Sequence, residues 1–214
     1  MKKLFLTLAA VAAVTNGFAQ GTVNFNNNVP GTVVTRVYMP DNSGAQNSRT
    51  GNTATQTPPG TQVYTSALVT GSGFTAQIWS APGAGQPESA LIGYTTSTFR
   101  TGAAAGVFVG VIATLGNVLP DAAAATLQVR VFETQYGTWA AAEAAYQTTL
   151  DVIIGKSELF TVNNIGGVIN TTPPLLTGLT SFNTYTFIPE PSSLTLAGLG
   201  AAAMLWLRRD SAKR

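Results

Sequence analysis

The sequence contains no cysteine and no histidine among its 214 residues, and only 9% of them are charged. Without cysteine there is no disulfide framework and no thiolate nucleophile. Without histidine, a Ser-His-Asp triad, a histidine metal site and imidazole acid–base catalysis are excluded. The charged fraction is far below the ~25% of ordinary soluble domains, so hydroxyl and amide groups must provide the solubility of the surface. We predict no metal site and no cofactor.

Carboxylates are the side chains that remain for acid–base chemistry. A glycosidase needs only two carboxyl groups at a defined separation, and four acidic residues of the central chain could supply such a pair. Solvated surface charges are the simpler interpretation, because some pair can always be chosen among the seven carboxylates of the domain, so a pair alone is weak evidence. We therefore predict that the protein is not an enzyme and has no catalytic residue. The four carboxylates are Asp121, Glu133, Glu143 and Asp151.

The first nineteen residues have the pattern of a secretory signal peptide. Lys2 and Lys3 form a basic start, residues 4–14 are apolar, and the small residues Gly17 and Ala19 stand where signal peptidase cleaves. Eleven apolar residues are too few to span a bilayer. The alternative, a buried N-terminal helix, explains neither the lysines nor the small residues. We expect residues 1–19 to be removed after Ala19 during export.

The last part of the chain contains three different blocks in immediate succession. The rigid sequence Pro189-Glu190-Pro191 comes first, an uncharged apolar run occupies residues 194–207, and Arg208 and Arg209 follow it. As a helix the apolar run would be ~21 Å long, which is short against a hydrocarbon core of ~30 Å. The arginines would stop it at the cytoplasmic face, leaving the rest of the chain outside. A plain single-pass anchor is the alternative.

The order of these blocks resembles a PEP-CTERM sorting signal. That resemblance implies recognition by a membrane-embedded exosortase, which processes the tail near the Pro-Glu-Pro motif. It also implies transient anchoring in the inner membrane and delivery to the cell surface or the extracellular polysaccharide matrix of a Gram-negative bacterium. The five residues after Arg209 extend the tail beyond the usual end of such signals. We assign residues 189–214 to the sorting signal and residues 194–207 to its hydrophobic helix.

Removal of both ends reverses the sign of the net charge. The full chain has a formal charge of +2, but residues 20–188 contain five basic and seven acidic side chains, which gives −2. The basic excess therefore belongs to the two targeting segments. A basic patch of the kind that binds nucleic acid is not indicated, and we predict no nucleic-acid partner.

The chain between the targeting segments has mostly two-residue periodicity, which is typical of β-strands. We predict an all-β fold, an antiparallel β-sandwich or jelly roll with one short helix, flanked by the N-terminal signal helix and the C-terminal hydrophobic helix. The domain occupies residues 20–180, and residues 181–188 form a linker or last strand. Predicted strands lie near residues 23–25, 33–38, 74–79, 90–95, 107–113, 125–133, 159–162 and 179–187.

A single helix is predicted after Thr138, which can cap the sequence TWAAAEAAYQTT. Trp139, Ala142 and Tyr146 fall on one helical face, so we expect this face to be buried. The alternative is that Trp139 and Tyr146 form a platform for stacking sugars. The segment 40–60 is rich in Pro, Gly and Asn and is predicted to be a long mobile loop.

The sequence favours a structural or adhesive role within an extracellular polysaccharide matrix. Two alternatives remain open. A carbohydrate-binding module would use exposed aromatic residues such as Trp79 or Trp139, and a polysaccharide hydrolase would use a pair of carboxylates. The expected partners are signal peptidase and an exosortase, both transient, and extracellular polysaccharide.

Overall fold

The computed structural model describes residues 20–41, 48–149 and 151–186. Within them lie one α-helix, α1 (Trp139–Tyr146), and a series of mostly short strands. The strands are β1 (Gly21–Phe25), β2 (Asn28–Val29), β3 (Val33–Val34), β4 (Val37–Tyr38), β5 (Phe74–Pro82), β6 (Ile92–Thr98), β7 (Val111–Leu115), β8 (Ala124–Glu133), β9 (Ile153–Lys156), β10 (Phe160–Asn163), β11 (Phe182–Asn183) and β12 (Tyr185–Thr186).

The largest sheet is built around β8. Its strand order is β12-β9-β8-β5-β6, and β10 pairs with the first half of β8 beyond the end of β9. Nine consecutive residues of β5 pair antiparallel with β8, from Phe74 opposite Glu133 to Pro82 opposite Ala125. Every residue of β8 from 125 to 132 is buried, so both faces of this strand are covered. The strand alternates apolar and polar residues, so the polar side chains of Thr126, Gln128 and Arg130 are buried together on one of its faces.

The main core lies on one face of this sheet, which we call the first face. The separate antiparallel pair β1–β7 contributes Val23 and Phe25 to it, and alternate residues of β8 contribute Leu127 and Val129. The Phe25 and Phe108 rings are in contact, with centroids 4.4 Å apart. Burial on one side of each strand fixes the register of the strands, because a shift by one residue would expose the apolar set.

A second, smaller apolar cluster covers the opposite face of the sheet, which we call the second face. Helix α1 packs there against Phe132 of β8 and Ile154 of β9. Thr138 Oγ1 caps the helix by accepting the Ala141 N–H at 3.2 Å, and the buried positions of the helix are Trp139, Ala142 and Tyr146. The predicted cap and the predicted buried face are confirmed.

The structure confirms a mostly β protein with antiparallel sheets and one short helix, while the sandwich or jelly-roll arrangement stays a prediction. The predicted strand 33–38 is divided into β3 and β4, because the Thr35 N–H pairs with Asn27 and the Arg36 N–H donates to the Ser181 hydroxyl. The prediction for 107–113 begins too early, since β7 starts at Val111. Strand β9 was not predicted.

The C-terminal part of the described chain also departs from the prediction of one strand over 179–187. It forms two strands of two residues each, β11 and β12, on different partners. β11 runs parallel to β4, and β12 runs antiparallel to β9. The chain therefore passes from one sheet to another between Asn183 and Tyr185, and a single strand could not do this.

The predicted long loop at 40–60 is partly outside the described residues, but its second half is held by specific contacts. The Asn52 amide donates to the Pro58 carbonyl at 2.7 Å and its oxygen accepts the Ser181 N–H at 2.8 Å. Gln56 accepts from the Ser181 hydroxyl at 2.8 Å. The segment 48–60 is thus irregular yet held by hydrogen bonds to Ser181, just before β11, which a mobile loop would not be.

The two predicted targeting helices, residues 1–19 and 194–207, lie outside the described residues. In the part of the chain that the structure describes, no helix combines the length and the apolar character that crossing a membrane requires.

Candidate functional site

A cavity opens beside α1 on the second face of the large sheet. Its volume is about 330 Å³, and we refer to it as the α1 cavity. Glu143 and Tyr146 of α1 form one wall, and Lys156 of β9 and Tyr185 of β12 form the other. The Tyr146 and Tyr185 rings meet edge to face, with centroids 5.5 Å apart. Both rings pack in the second apolar cluster.

A second cavity of about 420 Å³ adjoins the first, and Lys156 and Ser48 line both. Most of the residues that line this second cavity are polar. Its lining includes Glu88, Gln128 and Glu158. The two cavities together therefore present carboxylate, ammonium, hydroxyl and amide groups along β9, next to one aromatic wall.

Arg130 is the charged residue that organises this face. It points from the middle of β8 away from the main core and is 6% exposed. Its guanidinium carbon lies 3.8 Å from the centre of the Trp79 ring and 5.1 Å from that of Trp139. Its Nε donates to Gln128 at 2.8 Å. Burial lowers the pKa of Arg130, but an arginine with this ring contact and these acceptors remains charged.

Glu88 joins the two cations of the site. One of its oxygens accepts from Arg130 at 3.1 Å and from Lys156 at 2.8 Å. Burial raises the pKa of the Glu88 carboxyl, while the hydrogen bond and charge of Lys156 and the charge of Arg130 lower it by more. The net pKa is below the ordinary value, so Glu88 is ionised at neutral pH. It therefore acts as a structural anion here and is poorly suited to donate a proton.

The aromatic residues predicted for sugar stacking take part in packing. Trp139 is 3% exposed, its ring meets Phe132 edge to face, and its Nε1–H donates to Glu143 at 3.0 Å. The prediction that the aromatic face of the helix is buried is confirmed, and Trp139 has no open ring face for a sugar. Trp79 is partly exposed, but one ring face carries the Arg130 guanidinium and its Nε1–H donates to Gln77.

The four carboxylates considered for a hydrolase are not brought together as a set. Asp121 precedes β8 and Glu133 ends it, so they lie at opposite ends of a strand that is about 30 Å long. Asp121 accepts the N–H groups of residues 168, 169 and 170 at 2.9, 2.9 and 2.7 Å. Glu133 accepts the Ile153 N–H at 3.0 Å. Glu143 lines the α1 cavity, while Asp151 is an exposed turn residue.

Sequence reasoning missed Glu88, Lys156 and Tyr185 as members of one site. A signal was present at Arg130, since a charge between two valines in the middle of a strand requires partners once that strand is buried. The identity of those partners depends on which strands flank β8, and that pairing is not written in the sequence of β8 itself. Among the described residues, no group of three or more Asp, Glu, His or Cys side chains could hold a metal ion.

The comparison with protein families identifies the C-terminal segment. Residues 187–209 match the model of the PEP-CTERM protein-sorting motif, and this match contains Pro189, Glu190, Pro191, Arg208 and Arg209. No curated protein and no solved structure matches the chain. The chain therefore carries the sorting signal of an exported protein that associates transiently with the membrane and is processed by exosortase, itself a membrane protein. Ala19 and all five of these tail residues lie outside the described residues.

Proposed function

We propose that this exported protein is a non-catalytic structural or adhesive component of the cell surface or extracellular polysaccharide matrix of a Gram-negative bacterium. The proposal rests on the contacts that the carboxylates of the body make. Six of the seven acidic residues between 20 and 186 accept hydrogen bonds or ion pairs within the body. They are Asp41, Glu88, Asp121, Glu133, Glu143 and Glu158.

These contacts join distant parts of the chain. Glu133 binds a backbone N–H of β9, and Glu158 accepts from the Thr50 hydroxyl across more than one hundred residues of sequence. A catalytic acid needs a raised pKa in a cleft, whereas the donors around Glu88 and Asp121 hold the pKa of these two carboxyl groups below the ordinary value. A body whose acidic groups join its segments in this way is suited to a mechanical or adhesive role.

The route to that location is part of the proposal. Signal peptidase removes residues 1–19 after Ala19, and the exosortase then processes the tail near Pro189. The sandwich arrangement is also retained in the proposal, because β1–β7 and the large sheet share one apolar core.

Saccharide binding is the second candidate function. The α1 cavity and its polar neighbour favour it, since their hydroxyl, amide and carboxylate groups match the hydrogen-bonding needs of a sugar. Polysaccharide hydrolysis has less support, because the lining carboxylate Glu88 is held as an ion by two cations.

The experiment that tests the main proposal is fractionation of native cells with intact-mass measurement. The wild type is compared with a variant that carries Pro189→Ala, Glu190→Ala and Pro191→Ala. We expect wild-type protein that has lost its tail in the surface or matrix fraction, and full-length variant in the inner membrane. Cells that lack the protein should form a less cohesive matrix.

Two results would contradict the proposal. A wild-type mass that keeps residues 189–214 at the membrane would mean that the tail is a plain anchor. Normal matrix cohesion without the protein, together with polysaccharide cleavage by the purified protein, would replace the structural role by an enzymatic one.

A further inference from the structure

The chain leaves the folded body toward the sorting tail at the end of β12. Thr186 pairs with Ile153, and the Ile153 N–H donates to Glu133, the last residue of β8. Because Tyr185 is opposite Ile154, the chain runs toward that end of the sheet as it leaves. The match to the sorting motif starts at residue 187, directly after β12.

The length of chain between the body and the motif is very small. Only Phe187 and Ile188 separate Thr186 from Pro189. Even fully extended, three residue steps reach no farther than about 11 Å. This limit holds for any conformation of those two residues. An enzyme that grips the Pro-Glu-Pro motif must therefore come within about 11 Å of Thr186 while the body is folded.

The tail follows a short edge strand whose side chain Tyr185 packs against the body. Tyr185 belongs to the second apolar cluster, and its ring meets the buried Tyr146 of α1. Burial raises the pKa of the Tyr185 hydroxyl far above its ordinary value, as expected for a side chain packed in this way. Release of β12 would break these contacts, so the body is expected to stay folded up to Thr186 when the tail is bound.

We propose that the end of the body formed by α1, β12 and the last residues of β8 is the docking surface for the membrane-embedded sorting enzyme. We call it the exit face. The short connection forces this surface against the enzyme whenever the motif is engaged. The exposed positions of α1 on this surface are the small residues Ala140, Ala141 and Ala144, which allow another protein to approach the helix closely.

The opposite end of the sheet provides a matched control. Ala84 is exposed, follows β5 and lies next to the start of β8, where Gly83 bridges to Ala125. It is separated from the exit face by the length of β8, about 30 Å. Ala144→Arg and Ala84→Arg therefore add the same bulky charge to exposed alanines at the two ends of one body.

The test is a pulse–chase measurement of tail processing in native cells with the full chain. We expect Ala144→Arg to slow the loss of the tail about tenfold, which corresponds to ~1.4 kcal/mol of lost contact energy, and Ala84→Arg to leave the rate unchanged. A third chain combines Ala144→Arg with a flexible eight-residue Gly-Ser insert between Ile188 and Pro189. The insert moves the body away from the enzyme, so processing should return to the wild-type rate.

The rescue separates docking from folding, because an insert after Ile188 cannot repair a misfolded body. Wild-type processing of Ala144→Arg would overturn the proposal, since the surface would then not be in contact with the enzyme. Equal slowing by Ala84→Arg, or slow processing that persists with the insert, would also overturn it by showing a general effect on export or folding. None of these results bears on the role in the matrix, which the cohesion measurement tests separately.

Discussion

At the scale of single residues, Arg130 shows how a chain with few charges accommodates one inside a sheet. Its guanidinium lies against the ring of Trp79, with the Trp139 ring nearby, while Gln128 and Glu88 accept from its nitrogens. The planar group can stack and donate at the same time, which an ammonium group cannot do. The residue therefore connects α1, β5 and β8 with the segment that contains Glu88.

We expect Arg130→Lys to destabilise the protein by about 2 kcal/mol, because lysine retains the charge but loses the flat ring contact and the Nε donor. The free energy of unfolding is measured by urea titration, with tryptophan fluorescence as the probe. The comparison is valid when the variants and the wild type have the same m-value. Arg100→Lys, at an exposed position, is the control and should stay within about 0.5 kcal/mol of the wild type. A similar loss for both variants would show that the stacking is unimportant.

Asp121 is the second residue whose role is visible only in the fold. The Asn170 N–H, together with those of Ile169 and Val168, holds the pKa of the Asp121 carboxyl below its ordinary value. The carboxylate fixes a loop that carries two highly exposed side chains, Val168 and Ile169. Asp121 also has a positive φ of 57°, a conformation that Asn adopts as readily as Asp.

We expect Asp121→Asn to lower stability at pH 7 and to lower it progressively less as the pH falls toward 2. The native pKa is below the unfolded value of about 3.9, so the stabilisation is present above that value and is lost as the pH falls through the native pKa. The measurement is the urea midpoint of both proteins between pH 7 and pH 2. Asp151→Asn, at an exposed turn position, should show no such convergence. A pH-independent difference for Asp121→Asn would contradict the electrostatic explanation.

At the scale of elements, strong local patterns were predicted well and short strands were not. The prediction for β8 misses its start by one residue, because apolar and polar residues alternate over 125–131 and give a clear two-residue period. Strand β9 has only four residues and contains Gly155, which is too little for a periodic signal. That glycine is required by the fold, since a Cβ there would lie 2.9 Å from the Thr184 Cα of the neighbouring segment.

Helix α1 has only eight residues, so its cap should contribute substantially to its stability. We expect Thr138→Ala to cost about 1 kcal/mol, because the Ala141 N–H loses its acceptor. Thr138→Ser keeps the hydroxyl and should be nearly neutral. Urea unfolding of the three proteins makes the comparison, and an equal loss in both variants would assign the effect to the threonine methyl group.

At the scale of the whole molecule, targeting and folding information occupy separate parts of the chain. The sorting motif begins at residue 187, and the last strand of the body ends at Thr186. The basic excess lies in the two ends, while the body between them has a net charge of −2. The proposed removal of both ends would therefore change the charge of the molecule.

The full chain has an isoelectric point of about 9.0, and the processed body should focus below pH 7 because its acidic residues outnumber its basic ones. Isoelectric focusing of the membrane and surface fractions makes this comparison. The Pro189→Ala, Glu190→Ala, Pro191→Ala variant is the control and should stay more basic than the processed wild type, because it keeps Arg208 and Arg209. A basic surface form would show that the tail remains attached.

The sequence by itself determined the sorting signal, the absence of thiol and imidazole chemistry, the β class of the body, and the capped helix with its buried face. Each of these depends on residues that are close together in the chain, so composition, spacing or local periodicity is enough to recognise it. The tertiary structure decided which strands lie beside β8, and thereby brought Glu88, Arg130, Lys156 and Tyr185 to one face. It also decided the division of residues 33–38, because the partners of Thr35 and Arg36 come from distant segments. Contacts between residues far apart in sequence form only when the sheet assembles, and no local pattern encodes them.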